Sequence, residues 1–198
     1  ACLPPTFLRS AISDFISFLY SSKAGNFQTF SPVNEEAFSK CSQIQQIEIP
    51  SNSKLQLIED YAFLESSINS ILIPPLLEKI SRGTFQWCKN LKTIKFAENS
   101  NIKTIESAFY NSSIESISIP SSVVELKKGW CKKTSNLFRV EIMAYNQYYK
   151  NYDGNLIIGK TDIKSDVYDV LVFASRNIKK VEIPQFIKII DSYSFEDS

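Results

Sequence analysis

A chain of 198 residues with 43% hydrophobic and 13% aromatic content is too apolar for a disordered segment, yet no apolar run approaches the ~18–20 residues of a membrane-spanning helix. Lys plus Arg number 22 against 21 Asp plus Glu, so no general electrostatic pull toward nucleic acid exists. The sequence has no histidine, which removes the commonest general base, the commonest metal ligand and every His-containing triad, argues against an enzyme and calls for no cofactor.

Residues 1–31 are the least regular. Leu3-Pro4-Pro5 followed by Ile12-Ser13-Asp14-Phe15 reads as a degenerate first coil of the unit that repeats over the rest of the chain. The alternative is an N-terminal cap, a short amphipathic helix from about Phe7 to Tyr20, because apolar residues at 8, 12, 15, 16 and 19 fit the helical period. Terminal repeats of solenoids are atypical, so both readings suit the position.

Residues 32–198 repeat. Apolar triplets recur at Ile44, Ile47 and Ile49; Ile68, Ile71 and Ile73; Leu91, Ile94 and Phe96; Ile114, Ile117 and Ile119; Leu137, Val140 and Ile142; and Ile178, Val181 and Ile183. The first five end 23 or 24 residues apart, inside the roughly 20–29 residue period of leucine-rich repeats, and they reproduce the L-x-x-L-x-L strand signature with Ile for Leu. Pro50, Pro74, Pro120 and Pro184 follow their triplets, as suits a residue that ends a strand because it cannot donate to a ladder. A second series sets a small residue before an aromatic one: Ala37-Phe38, Ala62-Phe63, Thr84-Phe85, Ala108-Phe109, Gly129-Trp130 and Ser194-Phe195. Stacked coils then predict a continuous aromatic column inside the array.

The last two triplets end 41 residues apart, which places an insertion at about 143–177. It contains Asp153-Gly154, a pair that favours tight hairpin turns, flanked by Leu156–Ile158 and Val170–Phe173 as extra strands. A protruding hairpin or a small sheet is expected.

The units IEIPSNSKLQLIEDYAF, ISIPSSVVELKKGW and VEIPQFIKIIDSYSF resemble the BspA-like leucine-rich repeat, a unit of about 23 residues patterned I-x-I-P-x-x-V-x-x-I-x-x-x-A-F-x-x-C. YDGNLIIGK resembles the hairpin unit that recurs between repeats of that family. The likeness covers roughly residues 32–198, and Gly129-Trp130-Cys131 departs from Ala-Phe-x-x-Cys. The expected fold is an α/β repeat solenoid, a right-handed leucine-rich-repeat coil. Its short parallel strands line the concave face, and the convex side is irregular or built of short helices. The resemblance implies a surface-exposed adhesin of the kind found in bacteria and protozoa, which binds host, matrix or other cell-surface proteins.

Strand side chains alternate, so the residues between the apolar ones face outward. The predicted protein-binding surface is Gln46 and Glu48, Ser70 and Leu72, Thr93 and Lys95, Ser116 and Ser118, Arg139 and Glu141, and Lys180 and Glu182. Small side chains and mixed charge suit a protein ligand better than a polyanion. Tyr145, Tyr148, Tyr149 and Tyr152 either extend this surface as an amphipathic patch or pack the insertion onto the solenoid. The basic run Lys127, Lys128, Lys132, Lys133 and Arg139 either attracts acidic glycans or lipid heads or is a solvated convex face. Cys41 and Cys88 lie two coils apart, ~10 Å at ~4.8 Å per strand, too far for a disulfide or a shared zinc, and read as small buried thiols. Cys2 and Cys131 have no assignment. Asn111-Ser112-Ser113 is a glycosylation sequon, meaningful only in a secreted chain. Glu35-Glu36 and Glu59-Asp60 are neighbours in sequence rather than a convergent acid pair.

The function expected is therefore a non-enzymatic protein-binding module of a cell-surface or secreted adhesin, without nucleic-acid binding or direct membrane insertion. The alternative is a cytoplasmic leucine-rich-repeat scaffold. A hydrolase would need a nucleophile or acid cluster that the sequence does not offer. The chain stops in mid-repeat at Phe195-Glu196-Asp197-Ser198, which reads as a piece of a longer array and predicts end-to-end self-association.

Overall fold

The computed structural model describes residues 32–50 and 52–198. The degenerate coil or cap expected over 1–31 lies outside the described residues. From Ile47 onward the apolar triplets form the strands β1 (Gln46–Ile47), β2 (Ser70–Ile73), β4 (Thr93–Phe96), β6 (Ser116–Ile119) and β8 (Arg139–Ile142), paired in parallel in that order. Their register places Ile47, Ile71, Ile94, Ile117 and Val140 in one line, so one position of every coil feeds the core.

A second ladder joins β3 (Lys79–Ile80), β5 (Thr104–Ile105) and β7 (Glu125–Leu126), also in parallel, and a bridge from Val33 to Ile58 continues the same line toward the N-terminus. A third runs through the turns: Phe38 N–H donates to Ala62 O at 2.7 Å, Phe63 N–H to Thr84 O at 3.0 Å and Phe85 N–H to Ala108 O at 2.9 Å. Successive coils before the insertion are thus fastened along three lines.

This third ladder corrects the α/β expectation, for among the described residues there is no helix. Alternate convex N–H groups donate to the neighbouring coil, as Phe63 N–H does to Thr84 O, while those between them donate three residues back within the turn, as Leu64 N–H does to Tyr61 O. The turns also hold residues four apart at positive φ, as at Tyr61 and Glu65, Gly83 and Trp87, and Gly129 and Lys133, which a right-handed helix does not accommodate. Glycine suits position 83, where φ is 64° and, unlike at Tyr61 one coil earlier, a methyl group would overlap the Tyr61 ring.

The interior is the expected aromatic column. Phe38, Phe63, Phe85 and Phe109 stack with ring centroids 5.1, 5.5 and 5.7 Å apart and planes within 9° of parallel. The column then changes character. Trp130 meets Phe109 edge-on at 6.5 Å, and the next ring is Phe173, 6.0 Å from Trp130. Positive φ at Gly129 and Lys133, and the bond from Asn111 N–H to Lys132 O, align Gly129-Trp130-Cys131 with Gly83-Thr84-Phe85. Trp130 therefore occupies the place of the small residue and Cys131 the place of the phenylalanine. This reversal explains the departure from the Ala-Phe pattern and the turned ring.

The insertion forms a sheet rather than a protrusion. β9 (Tyr149–Tyr152), β10 (Leu156–Gly159) and β11 (Val170–Ala174) are antiparallel, and β12 (Ile189–Ile190) of the last coil joins β11 in parallel. Asp153 and Gly154 turn β9 into β10 with φ of 53° and 67°. Ile157, Val172 and Phe173 face the main core, while Leu156, Ile158, Leu171 and Ala174 face a second, small cluster with Ile178, Val181, Ile187 and Phe195. A register shift after Ile157 turns the neighbours Val172 and Phe173 to the same side. The sheet is a wall between two cores, which is why LIIG and VLVFA are buried almost throughout. Phe173 takes the column place expected of Phe195, and the expected sixth strand at Val181 and Ile183 does not form.

Candidate binding surface

The in-register strands bring the predicted outward residues into two rows. Gln46, Ser70, Thr93, Ser116 and Arg139 are successive partners in one; Leu72 pairs with Lys95, and Ser118 with Glu141, in the other. Glu48 follows β1 and is exposed. A groove of about 640 Å³ opens over β4, β6 and β8, lined by Thr93, Lys95, Ser116, Ser118, Arg139 and Glu141. Phe96, Pro120 and Met143 add apolar walls that the outward-facing pattern alone did not select. Their signal in the sequence was position, at or just after a strand end.

Inside the groove Arg139 Nε donates to Glu141 Oε1 at 3.0 Å and Ser118 Oγ to Glu141 Oε2 at 3.4 Å. Lys95 is exposed and Met143 is 51% exposed. Hydroxyls, one ion pair and a thioether therefore share the groove. No His, Cys, Asp or Glu cluster suited to a metal ion occurs among the described residues.

The remaining predicted residues lie elsewhere. Lys180 and Glu182 are exposed in the last coil and belong to no strand, because the wall separates that coil from β8. Tyr145 is 89% exposed beside the groove's Met143 end. Tyr148 is half-buried. The Tyr149 hydroxyl accepts Leu126 N–H at 2.9 Å, and burial raises its pKa. Tyr152 packs edge-on against Phe186.

Side chains finish the ladders that the insertion interrupts. Tyr149 Oη takes the β7 donor. Asn151 pairs with both backbone groups of Ile142 on β8, and Glu196 Oε2 accepts Lys133 N–H at 2.8 Å. Buried Asn146 clamps the insertion by donating to Pro120 O and Val123 O and accepting from the N–H groups of Tyr148 and Tyr149. Buried Arg176 stacks on Phe173 and donates to Ser194 O, Tyr193 O and Cys131 Sγ. These side chains cover the edges of β7 and β8 where the insertion meets them.

The described cysteines lie in the core rather than on this surface. Cys41, Cys88 and Cys131 are buried, and burial pushes the Cys88 thiol up to about 11 and that of Cys131 up to about 12. The basic run is dispersed: Lys127 pairs with Glu125 and Arg139 with Glu141, while Lys132 and Lys133 lie on the turns.

Six copies of the BspA type leucine-rich repeat region match residues 19–151 and 159–198. The chain belongs to the BspA-type leucine-rich repeat family. Among solved structures, the pneumococcal vaccine antigen PcpA is similar with a TM-score of 0.71 and 28% identity over 78% of this chain and 38% of its own. A leucine-rich cell surface protein of Faecalibacterium prausnitzii gives 0.65 at 19% identity over 81% of this chain and 47% of its own. A leucine-rich repeat protein of Eubacterium ventriosum gives 0.55 at 21% over 74% and 44%. The latter two share the fold. The chain spans less than half the length of all three. Comparison with functionally curated proteins returns no significant match.

Proposed function

We propose that this BspA-type solenoid is a non-enzymatic protein-binding module of a cell-surface or secreted protein, which contacts host, matrix or other cell-surface proteins through the outer face of β2, β4, β6 and β8. One observation carries the reading. The groove over β4, β6 and β8 presents short polar side chains on a backbone fixed by parallel ladders, with Lys95, Met143 and the Arg139–Glu141 pair at its margins. Rigid backbone and small hydroxyls lower the entropy lost on docking, and the charged groups orient the partner. Surface placement is supported by PcpA being a vaccine antigen and the Faecalibacterium protein a cell surface protein. In the last coil Ile183, Ile189, Ile190 and Tyr193 are at least 37% exposed, which supports end-to-end association as a second contact.

Binding to a panel of extracellular-matrix and cell-surface proteins tests the reading, with Lys95→Glu/Arg139→Glu run beside the wild type. The expected result is saturable binding that the double variant weakens by roughly tenfold or more. Failure of the folded protein to bind any panel member would overturn it and favour a cytoplasmic scaffold.

A further inference from the structure

The turns carry a second surface, built from residues that neither the groove nor the column uses. Lys89 Nζ lies 5.2 Å from the Trp87 ring centre and donates to Asn111 O at 2.7 Å and Asn111 Oδ1 at 2.9 Å, so one coil's cation bridges to the next coil's turn. Trp87 N–H bonds Tyr110 O, and Asn111 N–H bonds Lys132 O, which keeps these turns side by side. Lys133 sits 5.8 Å from the Tyr110 ring centre, and Lys132 sits 4.4 Å from that of Tyr193 with Nζ 3.3 Å from its hydroxyl. Trp87 is 42% exposed and Tyr193 37%.

Three lysines and three aromatic rings thus alternate across successive turns along the coil axis. None of the three lysines forms a salt bridge with a described carboxylate. Glu196 also lies in this strip, with Oε2 engaged by Lys133 N–H. In a chain whose total charge is nearly balanced, the strip concentrates cations that retain their capacity for an anion. The lysines are held over ring faces rather than left free, which reduces the rotamer entropy lost when they bind.

We propose that this strip binds an acidic polysaccharide, its sulfate or carboxylate groups meeting Lys89, Lys132 and Lys133 and its sugar rings lying against Trp87, Tyr110 and Tyr193. A linear polymer fits for a geometric reason. The solenoid repeats its turns at about the ~4.8 Å strand spacing, so cations and flat rings recur along one direction. A lipid surface would instead engage apolar side chains projecting together from one patch, and here the rings lie among the lysines.

The test uses the whole chain and a size-defined heparin oligosaccharide, followed by calorimetry at low and physiological salt. Saturable binding that weakens with salt is expected. Lys132→Glu/Lys133→Glu should lower affinity roughly tenfold or more, and Trp87→Ala several-fold, while Lys54→Glu/Lys79→Glu, exposed elsewhere on the coils, leaves it unchanged. Lys132→Gln/Lys133→Gln should fall between wild type and reversal, and thermal midpoints verify that each variant is folded. The proposal is overturned if the oligosaccharide does not bind, if the Lys54/Lys79 variant loses as much as the Lys132/Lys133 variant, or if only anionic phospholipid vesicles bind.

Discussion

Before the wall formed by β9, β10 and β11 the core is built from one repeated device; beyond it the core is assembled from parts. The first region stacks parallel phenylalanines under three backbone ladders, so each coil presents its neighbour with nearly the same surface. The second has the cluster of Leu156, Ile158, Leu171 and Ala174, and a last coil that leaves Ile189 and Ile190 exposed. Across the boundary fewer backbone bonds remain, such as Arg176 N–H to Leu137 O and Asp191 N–H to Leu171 O, and the side chains of Tyr149, Asn151, Glu196 and Arg176 supplement them. Regular packing provides a platform for the groove, whereas side-chain staples fix the wall and the last coil.

The largest expected contrast comes from removing a ring on each side. Phe85→Ala, at a fully buried site with rings above and below, should cost about 3–5 kcal/mol. Phe195→Ala, at a half-buried place in the small cluster, should cost about 1–2 kcal/mol. Urea midpoints measure both, and equal losses would erase the distinction. Arg176→Met keeps volume over Phe173 but removes the side-chain donor from Tyr193 O and Ser194 O, which retain Glu196 N–H and Ala174 N–H, so a loss of about 1 kcal/mol is expected by the same assay.

Alkaline pH probes the exchanged Trp130–Cys131 pair. The folded pKa of Cys131 is raised from 9.0 to about 12 and that of Cys88 to about 11. The stability this contributes is complete below pH 9 and is lost as pH rises through those values, at about 1.4 kcal/mol per pH unit per thiol. Urea midpoints from pH 8 to 11 should fall less steeply in Cys131→Ala than in wild type. The smallest effect is expected at the exposed Lys127–Glu125 pair, where Lys127→Ala should change stability by no more than about 0.5 kcal/mol.

Much of the fold was legible where the signal is local and repeated. The triplets located β2, β4, β6 and β8, Asp153-Gly154 located the turn into β10, and the first four small-aromatic pairs supplied the stacked rings. The convex side was misread because alternate N–H groups there have partners a whole coil away, and no local pattern tells such a turn from a short helix. Gly129-Trp130-Cys131 was placed one residue out of register because the eye matches the large ring, whereas the backbone matches positive φ at Gly129 and Lys133. VLVFA reads as a strand but does not say that both faces are covered, so Phe173 was not recognised as a column member. The outward rows followed from alternation up to β8. Lys180 and Glu182 left them because the wall intervenes.

Native-state hydrogen exchange tests most directly the claim that the chain is a platform with a separately held end. Amides donating across the wall from the last coil, such as Asp191 N–H to Leu171 O, should exchange through an opening that leaves β2, β4 and β6 protected. Exchange of both sets with one opening free energy would mean that the wall joins the cores into a single unit, and would contradict the account.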